Sequence, residues 1–554
     1  MIPFPELTPI QRLALPYTEA GENTLILAPT GSGKTLAAFS SVLRKLTTRG
    51  GALPNRTLAV YVSPLKALTR DIERNLTPLL AGHEVRVAVR TGDTDAAERA
   101  RMGRQRPHLL LTTPESLSSL LSQTAWRDGF AVETVVVDEV HAFAANKRGT
   151  LMVLSLERLE ALAGGPVQRI GLSATAHPVE AVGRLLFGAR AYRVAQVDAA
   201  RAHRLRVAEP LEGMKLPAAG YMPVASAPLA AELVRRAACT LLFTSTRSAA
   251  ERLALELRTL LPGEAARIEV HHGSLDPEAR HDVENRLARG TLRAVVCSSS
   301  LELGVDYQAV DQVVLVGTPR GVSRALQRLG RSGHRPNGVA EGALVPLSLP
   351  DLLECAAAAE AARLGRLDAL RIPREPLDVL AQVLLGMAVE RSWPLDEAYA
   401  LVRGAGPYLE LSRADFDAVI EYLAGGGRVL GPSGAYGRIV VEDGRMRAAS
   451  RTVARNYFQN IGAISDDFQV RVIMSGNRRL GEVEEGFLAA LPKGEPFILG
   501  GRAVKLKSLL QNTALVEPVE AATAHPPRWM GGRMPLSAGL AAEEIRLRQA
   551  LRDA

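Results

Sequence analysis

Between Thr24 and Thr175 the chain repeats one grammar. A short β-rich apolar run, closed by Pro, Gly, Ser, Thr or an acid, is followed by a stretch of helical period. The runs TLILAP, TLAVYVSP, VRVAVRTG, HLLLTTP, TVVVDEV and RIGLSAT are apolar at consecutive positions, which predicts strands buried on both faces of a parallel sheet. Ligands of open α/β sheets sit at the carboxyl ends of strands, so the polar residues closing these runs are the first candidates for chemistry. After an Ala-, Gly- and Pro-rich stretch at Asp198–Ala227 the grammar restarts with TLLFTST, RIEVHHG, RAVVCSS, QVVLVGTP and EGALVPLS, predicting a second, similar α/β domain. From about Arg371 the pattern becomes three amphipathic helices near Leu377–Glu390, Leu395–Arg403 and Arg413–Ala424, then a strand pair broken at Glu442–Gly444. That order resembles a winged helix. Gly-punctuated strands between Tyr457 and Val516 predict a small β-barrel or sheet module, and a charged helix follows Met534. The expected domains are 1–205, 206–370, 371–430 for the winged helix, 431–525 for the barrel-like module, and a tail at 526–554 that starts a missing or truncated C-terminal module.

Composition narrows the class. A chain of 554 residues is too long for one hydrophobic core, and 47% hydrophobic with 23% charged residues excludes a disordered or collagenous protein. A net charge of +8 suits a polyanionic partner. Cys239, Cys297 and Cys355 form no CxxC pair, so no disulfide framework, zinc knuckle or four-cysteine cluster is expected, and a reducing cytoplasm fits best. The adjacent His271 and His272 have no metal-spaced partners and are expected to be satisfied in a turn. The opening MIPFPELTPIQ lacks a leader pattern, and no uncharged apolar stretch approaches the roughly 20 residues of a bilayer span.

The first run leads into Ala28-Pro29-Thr30-Gly31-Ser32-Gly33-Lys34-Thr35 and then a helix, the context of a phosphate cradle. Glycines let backbone N–H groups converge on a phosphate, Lys34 neutralises β/γ charge, and Thr35 offers a hydroxyl to Mg2+. The strict pattern has Gly where Ala28 stands. The run TVVVDEVH delivers Asp138 and Glu139 at a strand's carboxyl end. Asp138 is expected to hold Mg2+ through water, and Glu139 to orient and deprotonate the attacking water.

With these motifs in order, the chain resembles superfamily 2 helicases of the DExH type, whose fold is a pair of RecA-like domains. The resemblance covers Thr8 to Arg335. It implies that Gln11 of TPIQ reads adenine. It also implies that Ser63 and Lys66 of SPLKAL, Thr91 and Gly92 of TGD, and Thr113 of TTPE hold a nucleic-acid backbone. His141 completes the DEVH motif and is expected to couple the nucleotide site to the last motif; Ser173-Ala174-Thr175 links hydrolysis to domain closure. In the second domain Thr246 and Arg247 of FTSTR, the segment His272-Gly273-Ser274, and Ser299, Gly304 and Asp306 of SSSLELGVD match later motifs, Gly304 and Asp306 on the nucleotide side. The last is QRLGRSGH, with Gln327, Arg328 and Arg331. The two arginines, three apart on one helical face, are expected to reach the γ-phosphate together.

VSPLKAL, TGDT, DEVHAFAANKRG with SLERL, and QRLGRSGH together resemble the large helicase-related (Lhr) proteins, Arg148 of the KRG triplet being expected at the strand. PLDVLAQ, LSRADFDAVIEYLAGGG and PRWMGGRMPLS resemble the branch called ligase-associated DExH helicases, whose members usually continue past that last segment, so the chain looks short. Trp529 lies in a Pro-, Gly- and Arg-rich loop, where it either stacks on a base or packs the barrel against the motor. Ile464 either borders the same channel or belongs to a core. The resemblance implies ATP and Mg2+ as cofactors, and single-stranded or tailed duplex nucleic acid, DNA first, as partner. It implies 3′-to-5′ translocation that unwinds DNA or RNA:DNA hybrids in DNA repair, in the cytoplasm and at the nucleoid, with a repair ligase or nuclease as protein partner. The alternative is a non-unwinding ATP-gated clamp or RNA remodeller.

Overall fold

The apolar runs of the first third form a seven-stranded, wholly parallel sheet in the computed structural model. The structure describes residues 6–553 except 30, 50–51, 175–176, 198–202, 210, 213–215, 218–225, 303–306, 334–338, 426–436, 462–468, 475–477, 493, 511–512, 520–523 and 528–534. The strands are β1 (Thr24–Leu27), β2 (Thr57–Val62), β3 (Val87–Arg90), β4 (Leu109–Thr112), β5 (Phe130–Val137), β6 (Gln168–Ser173) and β7 (Arg193–Gln196), in the order 3-4-2-5-6-1-7. Consecutive strand residues serve opposite cores: Val60 and Val62 belong to one apolar cluster and Ala59 and Tyr61 to the other. The runs are unbroken for that reason.

A second six-stranded sheet contains β8 (His203–Val207), β9 (Thr240–Thr244), β10 (Ile268–His271), β11 (Ala294–Cys297), β12 (Gln312–Val316) and β13 (Ala340–Val345), all parallel, in the order 10-11-9-12-13-8. β8 begins inside the expected 1–205 span yet pairs with β13. Its HRLRV sequence is that of a half-exposed edge strand, which an apolar-run search passes over.

The winged-helix helices run Leu377–Glu390, Leu395–Arg403 and Arg413–Gly425. Their sheet is β14 (Trp393–Pro394), β15 (Ile439–Glu442) and β16 (Arg445–Ala448), order 14-16-15. The wing lies beyond residue 430, so the expected 430/431 boundary falls inside this fold. Asp443 and Gly444, both at positive φ, make the two-residue turn. The last sheet is mixed: β17 (Gln469–Met474), β18 (Arg478–Glu484), β19 (Pro496–Leu499), β20 (Arg502–Leu510) and β21 (Thr513–Pro518), in the order 18-17-21-20-19. It is a curled half-barrel.

These four layers sort into two units, Met1–Ala199 with Leu370–Ile464 and Ala200–Ala369 with Ser465–Ala554. In the first, the helix Leu377–Glu390 packs on the helix Lys147–Ala163, and Leu380, Leu384 and Met387 belong to one apolar cluster with Leu151 and Leu154. A buried ion pair, Arg158 to Glu390 at 3.2 Å, lies in the same joint, with Arg158 also donating to the Ser122 hydroxyl and the Leu121 carbonyl. In the second unit, Val470, Val472, Phe497 and Val516 of the half-barrel enter the core of the second parallel sheet. The Glu251 carboxylate accepts the N–H groups of Gly500 and Gly501, 2.6 Å each, and faces His272 Nε2 at 2.9 Å. Both glycines sit at positive φ in the β19–β20 turn. The tail helix Ala538–Asp553, expected to open a separate module, packs on the helix Leu349–Arg363 of this unit, with Leu540 buried. Among the described residues no helix is long and apolar enough to cross a membrane.

Candidate functional site

Nearly all the described candidates of the first unit follow the carboxyl end of a strand, as the crevice rule requires. After β1 the chain turns through Gly31 and Gly33, both at positive φ, into the helix Lys34–Thr47. A Cβ on Gly33 would stand 2.7 Å from Gln11 Nε2, so only glycine fits. Lys34 is buried and its ammonium lies 3.4 Å from the Ala28 carbonyl. Thr35 is the second residue of that helix; Ser32 donates to the Pro29 carbonyl at 2.7 Å. Thr30 lies outside the described residues. Gln11 accepts the Thr8 N–H (2.9 Å) and donates to the Gly33 carbonyl (3.3 Å), tying its own helix start to the loop.

After β5, Asp138 is buried with Tyr61 of β2 donating a 2.7 Å hydrogen bond to Oδ2, while Oδ1 accepts the Glu139 N–H at 2.8 Å. Burial first, and the Glu139 charge second, push the Asp138 carboxyl up to about 6; Lys34 and the Tyr61 hydroxyl oppose that rise. A buried carboxyl held high by a neighbouring anion is a site that gains from a cation. A hard-oxygen donor beside a phosphate loop fits Mg2+, which Asp138 and Thr35 would hold. Glu139 sits in the left-handed region at φ 49°, an uncommon conformation for a non-glycine residue and of the kind that persists at functional sites. Its Oε2 lies 3.5 Å from His141 Nδ1, which is 2.9 Å from the Ser173 hydroxyl at the end of β6. His141 therefore links DEVH to the SAT segment within its own unit; Thr175 is outside the described residues.

The expected strand-holding residues of this unit are brought together, but not as free cations. Lys66 Nζ is 2.6 Å from Asp93 Oδ1, closing SPLKAL onto TGD, and Gly92 lies beneath the ammonium. Arg148 pairs with Glu115 of TTPE through two nitrogens (2.5 and 3.2 Å) and donates to the Pro64 carbonyl at 3.0 Å. Burial alone would raise Glu115, and the guanidinium outweighs it, leaving this carboxyl below its ordinary range. Arg148 thus organises three motifs and does not project from them. Ser63, Thr91 and Thr113 are buried, while Gly92 is exposed.

In the second unit Thr246 caps the helix Arg247–Leu260 by accepting the Ala249 N–H, and Arg247 donates to the Ser274 hydroxyl at 2.7 Å. Ser299 is exposed after β11; Gly304, Asp306, Ile464 and Trp529 lie outside the described residues. The expectation that Arg328 and Arg331 share a helical face needs correcting. The helix Val322–Leu329 ends at Gly330, so Arg331 belongs to the turn beyond it. Arg328 is bound instead to Glu302 through two nitrogens (3.2 and 3.1 Å) and lies over the Phe243 ring at 5.0 Å. Gln327 is half-buried on the same helix, and Arg331 is buried. His271 meets Ser300 (2.7 Å) and Glu284 (3.2 Å), and His272 Nε2 meets Glu251, so each imidazole has at least one side-chain partner.

Tyr61 and Glu302 were not anticipated. A tyrosine inside a buried run has the same pattern whether its hydroxyl serves a carboxylate or only fills a core. Glu302 stands within SSSLELGVD, and its acidity opposite a basic motif was the available signal.

Three family descriptions match the chain: DEAD/DEAH box helicase over residues 8–182, helicase conserved C-terminal domain over 227–335, and large helicase-related protein, winged helix domain, over 360–526. The chain is 42% identical to the ATP-dependent helicase Lhr-Core protein 2 of Thermococcus barophilus, over 99% of this chain and 66% of that protein. It is 34% identical to the Lhr helicase/uracil glycosylase of Escherichia coli, over 95% of this chain and 39% of that protein. Among solved structures, the Mycobacterium smegmatis helicase Lhr bound to ssDNA and AMP-PNP is similar, with a TM-score of 0.75 at 37% identity, over 84% of this chain and 61% of that one. The chain thus spans a little under two thirds of the first of these relatives and less of the others.

Proposed function

Since the chain belongs to the large helicase-related family, we propose that it is an ATP-dependent helicase that translocates on single-stranded nucleic acid, with DNA as its main substrate. The observation that carries this reading is the buried Asp138–Glu139 pair beside the Gly31–Thr35 loop. Together they provide a phosphate cradle, a carboxyl that favours a cation and a carboxylate suited to activating water. When bound, Mg2+ would neutralise phosphate charge. The chain's own residues do the rest: Lys34 binds the β/γ oxygens, and Tyr61 holds Asp138 in its charged form. Glu139 takes the proton of the attacking water at a carboxylate oxygen, while His141 keeps that side chain in register with Ser173.

Gln327, Arg328 and Arg331 are assigned to the γ-phosphate by resemblance. The Glu302 pairing of Arg328 favours Arg331 for the transition-state charge. Ser63, Lys66, Thr91, Gly92, Thr113, Thr246, Arg247 and Ser299 are assigned to the strand, chiefly its phosphates. The ssDNA in the M. smegmatis helicase structure supports a DNA partner. The 3′-to-5′ direction, a role in DNA repair and the ligase-associated branch rest on the sequence resemblance alone. ATPase and unwinding on matched 3′-tailed DNA, 5′-tailed DNA and RNA-containing duplexes test the reading. Displacement of the 3′-tailed DNA duplex is expected; stimulated ATPase without displacement of any duplex would favour the clamp, and no stimulation by any strand would end the proposal.

A further inference from the structure

We propose that the helix Arg451–Gln459, which follows the wing, presents a separate contact for a single nucleic-acid strand through Arg451, Arg455 and Phe458. The proposal rests on the nucleic-acid reading above and adds a contact outside all the motifs that carried it. Spacings of four and three put the three residues on one helical face, with a rise of about 6 Å between the two arginine positions. All three are exposed, Phe458 at 39%, while the opposite face buries Val453 and Tyr457.

Surface arginines are commonly just a solvated face, and two features set these apart. The first is pairing. Arg403, Arg413, Arg445 and Arg447 of the same winged helix are all engaged, with the Leu409 carbonyl, Asp396 and Asp417, Ser392, and Glu442 respectively. Among the described residues Arg451 and Arg455 have no such partner, a condition the exposed Arg438 shares, but only these two stand on one helix with an exposed ring. Their charge is uncompensated and faces water.

The second feature is the bracing of the ring. Phe458 stands edge-on to Tyr457, centroids 5.5 Å apart at 71°, and the Tyr457 hydroxyl lies 3.1 Å from the Ser122 hydroxyl, which accepts from the buried Arg158. Room for that tyrosine is made by Gly386 in the middle of the helix Leu377–Glu390, where a Cβ would come within 2.2 Å of the Tyr457 oxygen. Helix interiors disfavour glycine, so a side chain has been given up to seat Tyr457. An exposed aromatic ring is thereby held in place beyond the two cations on that face. Two phosphate-seeking guanidinium groups followed along the helix by a preset ring, with no carboxylate on the same face and one exposed amide, Gln459, at its end, suit contact with a single strand made chiefly through phosphates and a stacked base.

The test uses the full 554-residue chain and a fluorescent oligothymidylate, with affinity measured over a series of salt concentrations. The double variant Arg451→Gln/Arg455→Gln should lower the slope of log affinity against log salt by about 1.4, as expected for two lost phosphates. Phe458→Ala should weaken binding by about tenfold with the slope unchanged, and Phe458→Trp should restore it. Unfolding midpoints and strand-free ATPase should match the parent in all variants. Parent-like affinity and slope in both the double variant and Phe458→Ala would overturn this site alone. So would a loss that appears only with a lowered unfolding midpoint, or loss of binding to an acidic protein with strand binding intact. A parent chain that binds no strand would end the nucleic-acid reading and this contact with it.

Discussion

Removing one oxygen atom, in Tyr61→Phe, should move the acid limb of ATP turnover. The Tyr61 ring is wholly buried beside Phe39, so phenylalanine fills the same space and the fold should persist. What is lost is the 2.7 Å donor to Asp138 in a site closed to water. A hydrogen bond to a charged group is worth about 1.5–3 kcal/mol, and about 1.4 kcal/mol corresponds to one pKa unit. The Asp138 carboxyl, already pushed up to about 6, should therefore rise by about one to two units further. Because the bond favours the charged form, its removal raises the pKa, and the limb of kcat/KM for MgATP, which reports the free enzyme, should shift from near pH 6 to about 7–8. The linked stability runs the same way. A carboxyl whose pKa is higher folded than unfolded lets the native state bind the extra proton, a contribution fully present below about pH 4 and lost as pH rises through about 6. In the variant that window should extend upward. A pH profile from 5 to 9 at saturating strand decides the matter; an acid limb within a few tenths of the parent's would refute the role of Tyr61.

Other outcomes follow from the same geometry. Lys34→Ala and Glu139→Gln should each abolish turnover, with nucleotide binding kept in Glu139→Gln; near-normal turnover there would remove Glu139 from water activation. Arg331→Ala should slow hydrolysis by a factor on the order of 10³ with little change in nucleotide affinity, measured by single-turnover kinetics. Arg328→Met should instead destabilise, by about 3–5 kcal/mol, because it leaves Glu302 buried without its main partner, and denaturant unfolding would show it. Glu251→Ala leaves two backbone N–H groups and His272 without their acceptor and should lower stability by about 3 kcal/mol or more, read as a fallen unfolding midpoint.

The strands bearing the nucleotide site were legible because burial on both faces forces unbroken apolar runs, and the loop was legible because only glycine takes the conformations at Gly31 and Gly33. Functions that depend on partners far along the chain were not. Arg328 and Arg331 share a helical face only if the helix outlasts Gly330, and local spacing does not report where it stops. Arg148 is expected at the strand, and that Glu115, remote in sequence, would pair with it was not legible. The attachment of the wing and the half-barrel to different parallel sheets was illegible for the same reason, since an amphipathic face shows that it needs a cover but not which one.

That attachment has a consequence for synthesis on the ribosome. The first unit lacks its second segment until the 170 residues Ala200–Ala369 have been made, which takes roughly 10–30 s at about 5–20 residues per second. During that interval the helix Lys147–Ala163 stands without the Leu377–Glu390 helix that packs on it, and Arg158 waits for Glu390. The nascent motor thus carries an apolar face that nothing yet translated can close. Its exposure to chaperones, or to neighbouring chains on the same messenger, is written into the order of the domains.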